Sequence, residues 1–472
     1  MTKKELKRLI TKAELEFEKC WNVLAELKFA KPSNAVAKDI VGFQPRLART
    51  FFSLEHAYNL LRSKEKALIE RKDKVSKSYF ANRLRRMSAY RKILDGTIDV
   101  GKILGDSFAW LFYEKETKLL KEHQKHQRIT RSAIGTGGIG EITFIENLPK
   151  INDYLVIYHG TTTFLRLGDI SMVDMRTLKV AAIGELKSHR LGETQIVVTV
   201  NLVGHKLTNA LIPSGPRQTG HSEVIPKLDS QRLEQLKRQI NTIKNSFKPS
   251  VTNTLKSHPS VNVDWNIEKL TKLYKLSNIR RFRYVKADRG LLLVGIRLKR
   301  ATLWSTLAIS DKTCGKEKMS GLEKGAAEIV DKTLSDNSLT TGFLPYSSCG
   351  RYALMLGMRP LLWWPLERKI IRALIFRRFI VMTLYNPAFL VKDLRELGFE
   401  VICERGTNLT IKKLYRGSLL EFKGFDYFYS MIQTYLFPEE KVCSLIEKTV
   451  ASLNKAEFPF PAVIHLDLNF EF

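Results

Sequence analysis

Apolar and polar positions follow different periods along this chain, and the changes of period divide it. Over the first 130 residues the spacing is helical. Leu6, Ile10, Ala13, Leu15 and Phe17 recur among charged residues, and Leu47, Phe51, Leu54, Ala57 and Leu61 mark a second run from Arg46 to Lys66, with Pro32 and Gly42 expected to break the chain between them. Further on the period shortens. Two apolar-rich runs, Phe164 to Val173 and Lys179 to Lys187, flank Met175 to Leu178, the pattern of two antiparallel strands joined by a short turn. The β-branched run Gln195 to Val200 predicts another strand, and a Gly/Pro-rich loop from Ile212 to Ile225 leads to an amphipathic helix over Gln231 to Phe247. From about Val261 the chain mixes both periods: Gly290 to Ile296 and Leu303 to Ile309 read as buried strands, and Leu366 to Met382 as a helix. Asn386 to Leu397 reads as a helix stopped at Gly398, with a strand from Phe399 to Cys403 after it. The class is α+β.

The hairpin carries the chemistry. A turn centred near Thr177 sets Asp169 opposite Glu185, with Cβ atoms roughly 4.5–5.5 Å apart, and puts Lys187 on the same face as Glu185. Like charges facing each other across a sheet destabilise it, and a divalent cation removes the conflict. Mg²⁺ accepts one or two carboxylates and fills its octahedron with water and substrate phosphate. Such an ion polarises a phosphoryl oxygen and supplies hydroxide, while a neighbouring ammonium orients the water. Upstream, Glu141, Phe144, Ile145 and Leu148 share one helical face, where a carboxylate is costly unless paired or metal-bound. The run Gly135 to Gly140 before it lets the backbone approach a ligand or a strand closely.

Glu141 on a helix, Asp169 on one strand and Glu185-Leu186-Lys187 on the next resemble the PD-(D/E)xK nuclease superfamily, over about residues 135–204. The resemblance implies a central restriction-endonuclease-like mixed sheet flanked by helices. It also implies Mg²⁺ or Mn²⁺ held by Asp169 and Glu185 with Glu141 as accessory ligand, and Lys187 positioning the attacking water. The expected activity is metal-dependent endonucleolytic hydrolysis, with DNA ahead of RNA, in a setting that by analogy is restriction or anti-phage defence. Two features differ from the family pattern: Gly168 stands where proline is usual, and the strand from Thr194 follows the Glu-Leu-Lys strand with no helix between them. The alternative is a nucleic-acid-binding or regulatory protein on a nuclease-like fold that does not cut.

Composition adds domains and a partner. At 472 residues the chain exceeds the size at which one core keeps growing, and three regions are expected: a helical basic domain (1–130), the nuclease-like domain (131–250) and a C-terminal α+β domain (260–472) with a sensing, binding or assembly role. A net charge of +30 points to a polyanion, of which nucleic acid is the simplest. Arg83, Arg85, Arg86, Arg91 and Lys92, interleaved with Tyr79, Phe80 and Tyr90, are candidate phosphate contacts, with Arg238 on the later helix as another. An ordinary solvated helical face is the competing account of such a run. Five widely spaced cysteines with no CxxC pair suggest neither zinc nor disulfides and fit a reducing cytoplasm. The charged N-terminus does not resemble a secretion signal, and no apolar stretch suits a membrane span. His123 and His126, one turn apart, read as a surface pair. The GTGGIG run lacks the preceding strand that dinucleotide binding needs, so no organic cofactor is expected. The aromatic segment Asn454 to Phe472 suits docking against a second copy of the chain.

Overall fold

A computed structural model describes residues 1–29 and 34–114, scattered positions between 116 and 145, and then 154–191 (except 175) and 195–204. It continues over 266–277, 282–298, 301–309, parts of 325–344, 359–403, 409–415, 418–422 and 426–452. The chain divides into two compact units, Met1–Val251 and Thr252–Phe472. The expected segments 1–130 and 131–250 both fall in the first.

That unit opens with three helices, α1 (Lys3–Phe29), α2 (Asn34–Glu70) and α3 (Lys77–Tyr113). Leu6, Ile10, Ala13, Phe17 and Leu24 are buried along α1, while Leu15, off that stripe, is 60% exposed. Gly42 does not break the chain as expected: α2 runs through it and through Pro45. Ser76 caps α3, its hydroxyl accepting from the amide of Tyr79 at 3.3 Å. Close packing of the three helices depends on small residues in α3. A Cβ on Gly101 would lie 2.3 Å from the Phe51 ring, beside the edge-on pair Phe17–Phe51, and one on Gly105 would lie 1.9 Å from the carbonyl oxygen of Thr161.

A four-stranded sheet follows in the order β1 (Tyr154–Tyr158), β2 (Ile170–Asp174), β3 (Lys179–Leu191), β4 (Gln195–Gly204). Every pairing in it is antiparallel, so among the described residues it is a meander where the resemblance implied mixed strand directions. β1 was not foreseen, although Tyr154-Leu-Val-Ile-Tyr is a short β-branched and aromatic run of the right kind. The first hairpin strand is shorter than expected: residues 164–169 form an irregular approach, and pairing starts at Ile170. Ala48 of α2 packs with Ile145, Val156, Tyr158, Ile170, Met172, Ala182 and Leu186, so a helix from the basic region closes one face of the sheet.

The second unit contains a four-stranded antiparallel sheet, β5 (Arg283–Lys286), β6 (Leu291–Arg297), β8 (Phe379–Tyr385) and β7 (Thr340–Leu344) in spatial order. A smaller sheet follows, β11 (Ser418–Phe422), β10 (Leu409–Tyr415) and β9 (Glu400–Cys403). Leu303–Ile309 is a helix, contrary to the strand expected there. The helix expected over Leu366 to Met382 is only Arg368–Ile375; Arg377 takes a positive φ of 54° and the β-branched residues that follow enter β8. The helix Ala388–Glu396 stops before Gly398 at φ 79°, as its glycine demands. Arg238, the helix expected over 231–247, the Gly135–Gly140 run and the segment 454–472 lie outside the described residues.

Candidate active site

The hairpin sets Ile170 opposite Gly184, which continues to Asp169 opposite Glu185, the register expected from the turn. The contact between them is unusual in detail. Asp169 donates its amide to the Gly184 carbonyl at 2.8 Å, and its Oδ2 accepts the Leu186 amide at 2.8 Å, so the carboxylate takes the place of a ladder carbonyl. That substitution follows from Gly168, whose φ of 70° turns the chain out of the ladder. Proline, locked near −65°, cannot adopt this conformation, and any Cβ here would lie 2.6 Å from the Gly184 carbonyl oxygen. The departure from the family pattern at this residue therefore has a geometric reason.

Glu185 is almost fully buried, and Lys187 reaches back over two residues to place Nζ 2.7 Å from its Oε1. Glu141, Phe144 and Ile145 are helical, and Glu141 accepts a 2.5 Å hydrogen bond from the Tyr158 hydroxyl. Burial, followed by the charge of Glu185, pushes the Asp169 carboxyl up to about 7, with Glu141 adding to the rise and the Leu186 amide and Lys187 opposing it. Burial also raises Glu141, with Glu185 and Glu55 contributing. The four sequence-derived residues thus share one electrostatic neighbourhood. Glu55, a buried carboxylate of α2, is a fifth member that the hairpin pattern could not indicate.

A buried polar chain holds the approach to Asp169. His123 accepts the amides of Arg166 and Leu167 on Nδ1, each at 3.0 Å, which leaves its Nε2–H to donate to Tyr113 of α3 at 3.1 Å. The Tyr113 hydroxyl donates to Ser171 at 2.5 Å, Ser171 to His159 Nε2 at 2.6 Å, and His159 Nδ1–H to the Gly168 carbonyl at 3.1 Å. His159 also donates its own amide to the Asp169 carbonyl at 2.8 Å. His123 is thus fully buried, not on the surface as expected, and burial holds His159 down to about 3. Nearby, Lys102 reaches the carbonyls of Gly160 and Thr162, and Asp106 accepts both the amide and hydroxyl of Thr163 at 2.6 Å.

The chain matches no family model, no curated protein and no solved structure. The argument from this site therefore rests on its donor set. Among the described residues no group of three His, Cys, Asp or Glu side chains is arranged to hold a metal ion. Two opposed carboxylates do suit Mg²⁺ or Mn²⁺, which need few protein ligands when water and phosphate complete the shell, and the proton retained on Asp169 marks the charge conflict such an ion relieves.

The basic run is split by the structure. Arg85, Arg86 and Lys92 are exposed and Arg83 is half-buried on α3, whereas Arg91 is committed to Glu65 of α2 at 2.9 Å and lies over the Tyr58 ring.

Proposed function

We propose that this chain is a metal-dependent endonuclease that hydrolyses phosphodiester bonds, acting on DNA in preference to RNA. The observation that carries the reading is the opposition of Asp169 and Glu185 across the hairpin, with Lys187 on Glu185 and Glu141 within reach of the same charges. Asp169 and Glu185 would hold Mg²⁺ or Mn²⁺, with Glu141 as accessory ligand; the ion supplies Lewis acidity toward the phosphate and a water more acidic than bulk. Lys187 orients that water and stabilises charge developing on the phosphoryl oxygens. The Leu186 amide and the polar chain through His159 keep Asp169 from swinging away, so the geometry exists before substrate arrives. Arg83, Arg85, Arg86 and Lys92 offer sites for backbone phosphates, consistent with a net charge of +30.

The test is incubation of the purified chain with plasmid, linear duplex, single-stranded DNA and RNA, each with Mg²⁺, Mn²⁺ or EDTA. Cleavage is expected with either metal and none in EDTA. Undiminished cleavage under chelation removes this mechanism, and binding without cleavage under every condition favours the non-catalytic reading.

A further inference from the structure

One face of α2 connects the sheet to solvent. Gln44 accepts from the Thr161 hydroxyl at 3.1 Å, Ala48 packs in the sheet core and Glu55 adds to the charge felt by Glu141. At about 100° per residue, residues 7 and 11 positions along a helix return to within about 20° of the starting direction. Arg62 and Lys66 stand at those offsets from Glu55, with half-buried Asn59 between, and both are exposed. Neither forms an ion pair among the described residues, although Glu65 beside them is taken by Arg91. At about 1.5 Å per residue, Arg62 lies about 10 Å and Lys66 about 16 Å from Glu55 along the axis. Helix residues facing one way with no acidic partner, and running out from a cluster of carboxylates, do nothing for the packing of the bundle.

We infer that the Glu55–Asn59–Arg62–Lys66 face of α2 is a phosphate-binding rail, on which the sugar-phosphate backbone of a nucleic acid runs outward from the catalytic carboxylates. The inference rests on the nuclease reading for its starting point. With about 3.4 Å of rise per nucleotide, Arg62 meets the strand about three and Lys66 about five nucleotides from the scissile phosphate. Arg62 and Lys66 are phosphate contacts; Asn59 is placed to hydrogen-bond the strand between them.

Anisotropy titrations of the full chain in EDTA, against labelled 30-mers of duplex DNA and single-stranded RNA across a salt series, test the rail without cleavage. The pair Arg62→Ala with Lys66→Ala should flatten the slope of log affinity against log salt by about 1.8 on duplex, about 0.9 for each phosphate contact. The wild type should then lose about tenfold more affinity than this variant between 50 and 200 mM salt. The control removes the same charge off the rail: Lys64→Ala, nine residues from Glu55 and so on the opposite face, with Lys4→Ala on α1. It should change the slope by less than half as much. An unchanged slope in the rail variant, or an equal loss in the control, overturns the rail while leaving the nuclease site untouched. No binding by wild type to either polymer overturns both. Whichever polymer shows the larger loss of slope identifies the strand that the rail carries.

Discussion

Asp169 owes its position to three groups around it: a glycine that turns the chain, an amide that its carboxylate accepts, and a histidine bonded to the carbonyl just before it. Asp169→Ala, Glu185→Ala and Lys187→Ala should each reduce cleavage by about 10²-fold or more while leaving nucleic-acid binding intact, because these groups act on the transition state. Asp174→Ala is the control in the same hairpin. Its carboxylate accepts the Arg176 amide at the turn and should be nearly silent, and a loss of cleavage there with none at Asp169 would move the site elsewhere. The opposition of Asp169 and Glu185 was legible because a tight turn fixes register two residues at a time. Glu55 and His123 were not legible, since both are buried by helices packed from far along the chain, and no local spacing announces that.

At the scale of elements, α3 is the piece most sensitive to a single atom. Gly105→Ala brings a methyl group onto the Thr161 carbonyl, and backbone cannot retreat as a side-chain end can, so we expect a loss of about 1–3 kcal/mol. Chemical denaturation of the variant checks this. An undiminished midpoint would mean that α3 and the 159–163 turn are not packed as described. Helical periodicity identified the three N-terminal helices well, because each buries one stripe against the others. It failed at Leu303–Ile309 and past Ile375, where short apolar runs suit either period and tertiary packing decides.

Each unit of the whole molecule keeps a buried carboxyl that resists ionisation. Burial pushes Asp106 up to about 7 in the first; in the second, burial, with the charge of Asp288 behind it, pushes Glu439 up to about 8. A raised folded-state value means the native carboxyl keeps a proton that the unfolded chain has already lost. Its stabilisation is complete below about 4 and is lost as pH rises through 7 for Asp106 and through 8 for Glu439. His159 acts in the opposite direction: its depressed value costs stability as pH falls from 6.5 toward 3. Hydrogen exchange resolved by segment should show Asp106→Asn flattening the pH dependence of protection in residues 1–251 between pH 5 and 7. Glu439→Gln should do so in residues 252–472 up to pH 8. Protection that falls with rising pH as steeply in either variant as in wild type would mean that these carboxyls ionise normally.

Lys102, Asp106 and Tyr113 project from one face of α3 and grip, in turn, the carbonyls of 160 and 162, Thr163, and Ser171. For anyone building chimaeras, the helices are therefore part of the cutting machinery's chassis and cannot be exchanged as an attachment. A graft that begins at the carboxylate hairpin would arrive without the scaffold that shapes it, and the smallest piece that can be transplanted with its geometry intact is the whole unit Met1–Val251.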